Sequence, residues 1–479
     1  MSNGENLTAA YADYCVYLPS LQQGYAQYAV DTNNRESVKN PSPPKGFKPQ
    51  HLNYLDANNP LWHCKYGLYS VGHFTSSSIT NDDIVRYRDP STTLILGDSG
   101  GFQVGTGNLK GMEGMSKHKD NPKKVVELWD DQNARARILR WLDTYTDYAM
   151  TLDMPIWVRT NQNALGSPFR NFDSQTLIDM TVDNLRYFAD NRTGGTKFLN
   201  ILQDIDGLAD LDSKGKRVGS PHKGTGDAWY AAVKNFDFEG WAFGSETRAS
   251  FAHALKWLLR LLNDKKLDGK EWIHILGVSP PINSVIYTAI QRKLRQILGS
   301  EITISLDSSS PFQTGGVAKK YVKDPNFTDD LRSWVVKTEN FPFSPRYIGK
   351  DANDPPSFKS PITKQFATMF DWHRKRESEY ESKFFDSLSE AALTNHNIYM
   401  YHQYAIQSCQ LVFRDKDYSK VPSRIQGALE CVEEIFTTTK PDSVLKKHAG
   451  DLFYESIGKD SAASEKFVAT VSSSDFLNG

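Results

Sequence analysis

A chain of 479 residues with 39% apolar, 24% charged and 12% aromatic side chains can bury a large core, and this ordinary composition excludes a wholly disordered or fibrous protein. Its 56 basic and 57 acidic residues leave a net charge of -1, which excludes any global attraction to a polyanion, so a nucleic-acid partner needs a local basic face. The four cysteines, Cys15, Cys64, Cys409 and Cys431, form no CxxC pair and give neither a disulfide framework nor a local zinc knuckle.

The polar start MSNGENLTAAYADYC carries no basic-then-apolar leader, and nowhere do about 18 apolar residues run together, so the expected location is a reducing cytoplasm. The segment NPSPPKGFKPQ, 40–50, fixes φ at four prolines and predicts an extended connection rather than an element. Residues 1–55 are accordingly expected to form an N-terminal extension.

From there strands and helices alternate. Thr93–Leu96 is a short apolar β-branched run ending at Gly97-Asp98, and Asn121-Pro122 opens a helix with proline in its first turn. Ala149–Leu152 predicts the next strand. Ile178, Val182, Leu185 and Ala189 mark one face of a helix stopped by Gly194-Gly195, and Lys197–Leu202 follows as a strand. Gly240–Phe243 precedes a helix whose Leu255, Leu258, Leu259 and Leu262 share a face. Trp272–Leu276, a helix striped by Ile286, Ile290, Leu294 and Ile297 and capped by Gly299, and the strand Ile302–Leu306 complete the series.

Repeated βα units imply a parallel sheet, either open or closed into a barrel. Residues able to do chemistry follow the strands directly: Asp98, Asp153, Gln203, Gly244 and Asp307. Any one of them alone is ordinarily a turn residue or a helix cap. Five together suit the C-terminal strand ends of a barrel, which converge on one pocket. The expected fold is therefore an α/β protein, a (β/α)8 TIM barrel over 56–345, with the N-terminal extension, a C-terminal helical region over 346–458 and a loosely held Ser- and Ala-rich tail over 459–479.

Read together, these positions carry a resemblance. Asp98-Ser99-Gly100-Gly101-Phe102-Gln103-Val104 resembles the DSGG(F/Y)QV signature of the tRNA-guanine transglycosylase superfamily, queuine and archaeosine types. Leu152-Asp153 resembles its (F/L)D, Ile201-Leu202-Gln203 its IVQG, and Gly240-Trp241-Ala242-Phe243-Gly244 its GYA(I/V)GG. Leu276-Gly277-Val278 resembles its MGVG, Asp307-Ser308-Ser309-Ser310-Pro311 its DCV(M/L)P, and Asn395-His396-Asn397 its HN element. The order is preserved over roughly residues 60–410.

The resemblance implies Asp307 as nucleophile and Asp98 as the partner that handles protons, with Ser99, Gly100, Phe102, Asp153, Gln203, Gly244, Ser245 and Leu276 around the base. Asp153 is suited to accept from N1–H and the 2-amino group of guanine, Gln203 and the Gly244 amide to satisfy O6 and the 7-substituent, and Phe102 and Leu276 to clamp the ring faces. Three departures stand out. The CxCxxC zinc cluster is missing beside His396, so no cofactor is expected and a structural zinc lacks its donors. Ser245 replaces the second glycine of the family's GG, which narrows backbone approach to a base. Phe312-Gln313-Thr314-Gly315-Gly316 replaces the arginine-bearing loop with which the tRNA enzymes grip their anticodon.

Those losses resemble the 7-deazaguanine DNA transglycosylases of bacteria and phages. The expected partners are therefore DNA, guanine and a preQ0-like 7-deazaguanine base. Members of the family often dimerise, so a homodimer is a further expectation, although the usual interface lies near the missing zinc element. Two rivals remain open on the sequence: an enzyme acting on tRNA, and a non-catalytic nucleic-acid-binding subunit, against which the retention of both Asp98 and Asp307 argues. Basic clusters at Lys117–Lys124 and Lys446-Lys447-His448 are ordinarily solvated surface, the first being the better placed to touch phosphates.

Overall fold

The computed structural model describes residues 4–30, 43–131, 133–244, 250–343, 353–373 and 386–452. Eight parallel strands close into a barrel: β1 (Val16–Leu21), β2 (Tyr66–Ser70), β3 (Leu94–Asp98), β4 (Tyr148–Met150), β5 (Lys197–Leu202), β6 (Gly240–Phe243), β7 (Trp272–Ile275) and β8 (Thr303–Ser308). Each pairs with its neighbours in chain order, and β8 returns to β1 through Ser305–Ser308 against Val16–Pro19. The fold is thus TIM-barrel-like, with helices outside the staves.

The expected periodicity places the outer helices well. Helix α1 (Ala134–Tyr145) precedes β4; α2 (Ser174–Asn191) starts where the Asp173 carboxylate accepts the Thr176 amide at 2.8 Å and buries Leu177, Ile178, Leu185 and Phe188. After α3 (Thr225–Val233), α4 (Phe251–Asn263) buries Leu255, Leu258 and Leu259, and α5 (Ile282–Leu298) ends at Gly299, whose φ of 62° suits a residue without Cβ. Ala189, fourth in the expected stripe of α2, and Ile297, fourth in that of α5, are instead exposed.

Two boundaries need correction. Residues 1–55 are not an appendage, because β1 lies within them and is a full stave between β8 and β2. Proline at position 19 disguises it, since proline inside an apolar run argues against a central strand. At the other end, α6 (Ser387–Cys409) packs on β1 and on α5, so this part of 346–458 completes the ring of barrel helices, with α7 (Ser423–Ile435) layered on α5. Side-chain bonds lock the two chain ends together. The Trp62 indole donates to Asn395 Oδ1 at 3.0 Å, Asn395 Nδ2 donates to the Tyr25 hydroxyl at 2.9 Å, and Tyr11 bonds His402 Nδ1 at 2.7 Å. The expected tail, 459–479, lies outside the described residues. No helix among the described residues is long and apolar enough to cross a membrane.

Candidate active site

At the C-terminal strand ends lies a cavity of about 710 Å³. Of the residues singled out above, Asp98, Phe102, Asp153, Gln203, Gly244, Leu276 and Asp307 line it together. Successive staves and the loops after them supply these groups, as barrel geometry allows.

Asp307 sits near the end of β8 in a nest of donors. Its Oδ2 accepts the Ser20 hydroxyl of β1 at 2.6 Å, its Oδ1 accepts the Gly277 amide at 2.6 Å, and His274 Nε2 stands 3.3 Å from Oδ1. Burial alone pushes this carboxyl up, but His274, Ser20 and Gly277 more than offset it and hold the pKa below the ordinary value. Asp307 therefore stays ionised.

His274 is itself fixed from below. It is fully buried in β7 on the same face as Trp272 and Leu276, and its Nδ1 lies 2.8 Å from Ser305 Oγ. The Trp272 indole, which can only donate, reaches the same Oγ at 2.7 Å. The ionised Asp307 can only accept, so the imidazole proton belongs on Nε2, facing it, and Nδ1 is then the acceptor for the Ser305 hydroxyl. This relay positions the carboxylate rather than touching a ligand.

Asp98, at the end of β3, accepts the Gly100 amide at 3.0 Å and a hydrogen bond from Ser70, with His73 close by. Burial comes first among the influences on it, the charge of Asp307 adds to it, and the net pKa is raised. His73, in turn, is lowered by its own burial against the pull of Asp98. The turn after β3 depends on glycine twice. Gly100 sits at φ +85°, and a Cβ on Gly101 would stand 2.8 Å from Asp153 Oδ1.

Asp153 is the third buried carboxyl. Gln203 Nε2 donates to its Oδ2, and Gln203 Oε1 accepts the Ile156 amide at 3.0 Å, which fixes the way the amide faces and leaves one Nε2 hydrogen free of Asp153. Burial, reinforced by Asp98, pushes Asp153 up to about 7. Phe102 is 58% exposed and stacks at 5.7 Å on Trp157, so it is not barrel core. Leu276 is half-buried in the same cavity. Both apolar faces are open to a flat ligand.

Four expectations fare differently. Ser99 is buried and donates to the Thr151 carbonyl at 3.0 Å, bracing β3 against the loop after β4 rather than lining the cavity. Gly100 shapes the turn but also stays outside the lining. The Gly244 amide, expected to reach a substituent, donates instead to the Leu202 carbonyl at 2.9 Å, because it continues the β5–β6 ladder by one bond. Ser245 lies outside the described residues.

His396 does not fit a zinc ligand. It is fully buried, Nε2 donates to the Val322 carbonyl at 2.8 Å, and Nδ1 accepts the Ser360 hydroxyl at 2.8 Å, leaving no lone pair for a metal. Burial lowers its pKa to about 4. Among the described residues, no three His, Cys, Asp or Glu side chains are arranged to hold a metal ion.

Residues absent from the expected set include Ser20, His73, Trp157, Arg217 and the Trp272–Ser305–His274 relay. Strand alternation puts 272, 274 and 276 on one face and 305 on that of Asp307, but only the β7–β8 register brings Ser305 beside His274. Ser20 carries no such signal, since Pro19 hides its stave. In comparison with known proteins, no family model matches the chain, and neither a curated protein nor a solved structure does.

Proposed function

We propose that this protein exchanges guanine in DNA for a 7-deazaguanine base through a covalent glycosyl ester on Asp307. The observation that carries this reading is the sharing of one cavity by Asp307, held ionised by three donors, and Asp98, held toward its neutral form by burial.

The chemistry follows from that pairing. Asp307 attacks C1′ of the nucleotide, the C1′–N9 bond breaks with its electron pair going to the base, and Asp98 gives its proton to the departing guanine. One negative charge has moved from Asp307 to Asp98. The incoming base then yields its N9 proton to Asp98, attacks C1′ and expels Asp307. Atoms and charge balance without an external oxidant or cofactor. Retaining glycosidases solve the related hydrolytic problem with the same two-carboxylate logic.

Guanine selectivity rests on Asp153 and Gln203. A carboxylate accepts from N1–H and the 2-amino group, a donor pair adenine lacks, and the free Nε2 hydrogen of Gln203 suits O6. Phe102 and Leu276 supply apolar faces for the ring. The target nucleotide must leave its stack to enter, at a cost of a few kcal/mol in a duplex. Unpaired DNA is therefore the better substrate.

The test is to incubate the full chain with DNA or tRNA, labelled guanine and candidate 7-deazaguanines, then digest and identify nucleosides by mass. Exchange into DNA supports the reading. Exchange confined to tRNA replaces it with the RNA enzyme, and binding without exchange into either replaces it with a non-catalytic subunit.

A further inference from the structure

Three aspartates line the cavity, yet among its described lining residues Arg217 is the sole lysine or arginine. A polyanion approaching such a floor needs a cation at the rim. Arg217 belongs to a small antiparallel hairpin, Asp210–Leu211 against Arg217–Val218, in the loop between β5 and α3. Its Nη1 donates to the Thr160 carbonyl at 2.8 Å and to the Ala209 carbonyl at 2.6 Å. Both partners are neutral, so the guanidinium is held in place with its charge uncompensated.

The hairpin is organised to keep its cations outward. Asp210 faces Arg159, at 2.5 Å, and His222, at 2.8 Å. Asp212 accepts the backbone amides of Lys214 and Lys216, each at 2.9 Å, and Asp206 accepts those of Gly224 and Thr225 at 2.9 and 2.8 Å. Arg170 pins the hairpin through the Leu211 and Asp212 carbonyls. Lys214, Lys216, Arg217 and Lys223 are all exposed, and none pairs with a carboxylate among the described residues. In the two basic runs noted in the sequence, Lys124 and Lys447 face Glu127 and Glu434 at 3.0 and 2.6 Å while Lys117, Lys119, Lys123 and Lys446 are exposed like the hairpin lysines, but none of these residues lines the cavity, as Arg217 does.

We infer that this hairpin is a phosphodiester-binding rim, with Arg217 holding a phosphate of the strand whose base enters the cavity and Lys214 and Lys216 tracking the backbone beyond it. The inference rests on the transglycosylase reading and supplies the local basic face that a net charge of -1 demands. Arg217 is anchored to the loop after β4 by Thr160 and sits in the loop after β5. The same two loops follow the strand ends that carry Asp153 and Gln203, so the phosphate contact and the base contacts share one rigid frame. A planar fork fixed by carbonyls is suited to phosphate oxygens. It also answers the loss of an arginine-bearing loop after Asp307.

The test measures binding of a fluorescent single-stranded oligodeoxynucleotide containing one guanine across a NaCl series, together with steady-state exchange. For R217Q, KM for the oligonucleotide should rise about tenfold, the equivalent of one charge-assisted hydrogen bond, with the loss falling on KM more than on kcat. The slope of log affinity against log salt should shrink by about 0.7 for each phosphate that the variant no longer neutralises. K214Q/K216Q, whose side chains stand in solvent, should weaken binding by roughly three- to tenfold with a similar flattening of the slope, and it decides alone should R217Q fail to fold. Wild-type exchange with both variants keeping full affinity and slope overturns the rim and leaves the transglycosylase standing. A wild-type chain that neither binds nor exchanges any nucleic acid overturns both.

Discussion

Asp307 at the end of β8 and Asp153 after β4 face each other across the barrel, and burial pushes both carboxyls up. They nevertheless end on opposite sides of the ordinary carboxylate value. Asp307 gathers Ser20, Gly277 and His274 and is lowered, whereas Asp153 has Gln203 on one side and the like charge of Asp98 on the other and rises to about 7. Desolvation is therefore common to the two walls, and the number of donors decides which carboxylate keeps its charge. One wall is built to hold an anion. The other can lose or regain a proton near neutrality.

The largest effect should come from the wall that holds the anion. Asp307→Asn removes the proposed nucleophile while keeping its shape, and exchange of labelled guanine should fall by at least about 10⁴-fold, with thermal melting unchanged in form. Full retention of exchange would falsify the covalent route. Asp98→Asn should cost roughly 10²- to 10⁴-fold in kcat, the range of a lost general acid and base. Mass spectrometry of the variant trapped with DNA distinguishes the two: Asp98→Asn can still form some glycosyl ester, and Asp307→Asn cannot.

Asp153→Asn sharpens the contrast from the opposite wall. Its loss should fall on KM for guanine, by roughly 10- to 100-fold, because an amide cannot accept from both N1–H and the 2-amino group. In the wild-type protein, the same KM should rise as pH falls below about 7, the value to which Asp153 is pushed, since protonation removes the acceptor. A pH-independent KM would assign base recognition elsewhere.

How much of this contrast the sequence reveals differs between the walls. The β3–β5 side is carried by residues in or directly after strands with clear apolar runs, so Asp98, Asp153 and Gln203 stand out. On the β7–β8–β1 side Asp307 is equally visible, but its donors are not. Ser20 lies in a stave broken by Pro19, and the Gly277 amide carries no side-chain signal. His274 reads as an ordinary core histidine until Ser305 and Trp272 are brought beside it by β7–β8 pairing. Long-range register, not composition, makes the anion-holding wall. Likewise the 1–55 boundary fails because a stave that pairs with residues about 290 positions away leaves no local trace.

His274→Gln probes that hidden register directly. Removing the imidazole should lower kcat about tenfold, in keeping with the loss of one hydrogen bond to a charged group. Because His274 lowers Asp307, the acid limb of the kcat profile should also move to higher pH. Ser305→Ala should shift the limb in the same direction by less, since the histidine keeps its place but loses the partner that fixes its tautomer. An unmoved limb in both variants would make the relay ordinary packing.

The smallest effect is one of stability and comes back to Asp153. A carboxyl whose folded pKa of about 7 exceeds its ordinary 3.8 binds its proton more tightly in the folded state, so its contribution is fully present below pH 3.8 and is lost as pH rises from there to about 7, with no further change above. At pH 8 the wild-type protein buries a charge that asparagine does not carry. Asp153→Asn should therefore melt higher than wild type at pH 8, by about 2 °C or more. The gap should narrow toward pH 5, where the folded wild-type carboxyl is neutral and nearly isosteric with the amide, and close below pH 3.8. A gap of constant size across that range would mean that Asp153 keeps one charge state throughout, and the donors on its wall would then have to be counted again.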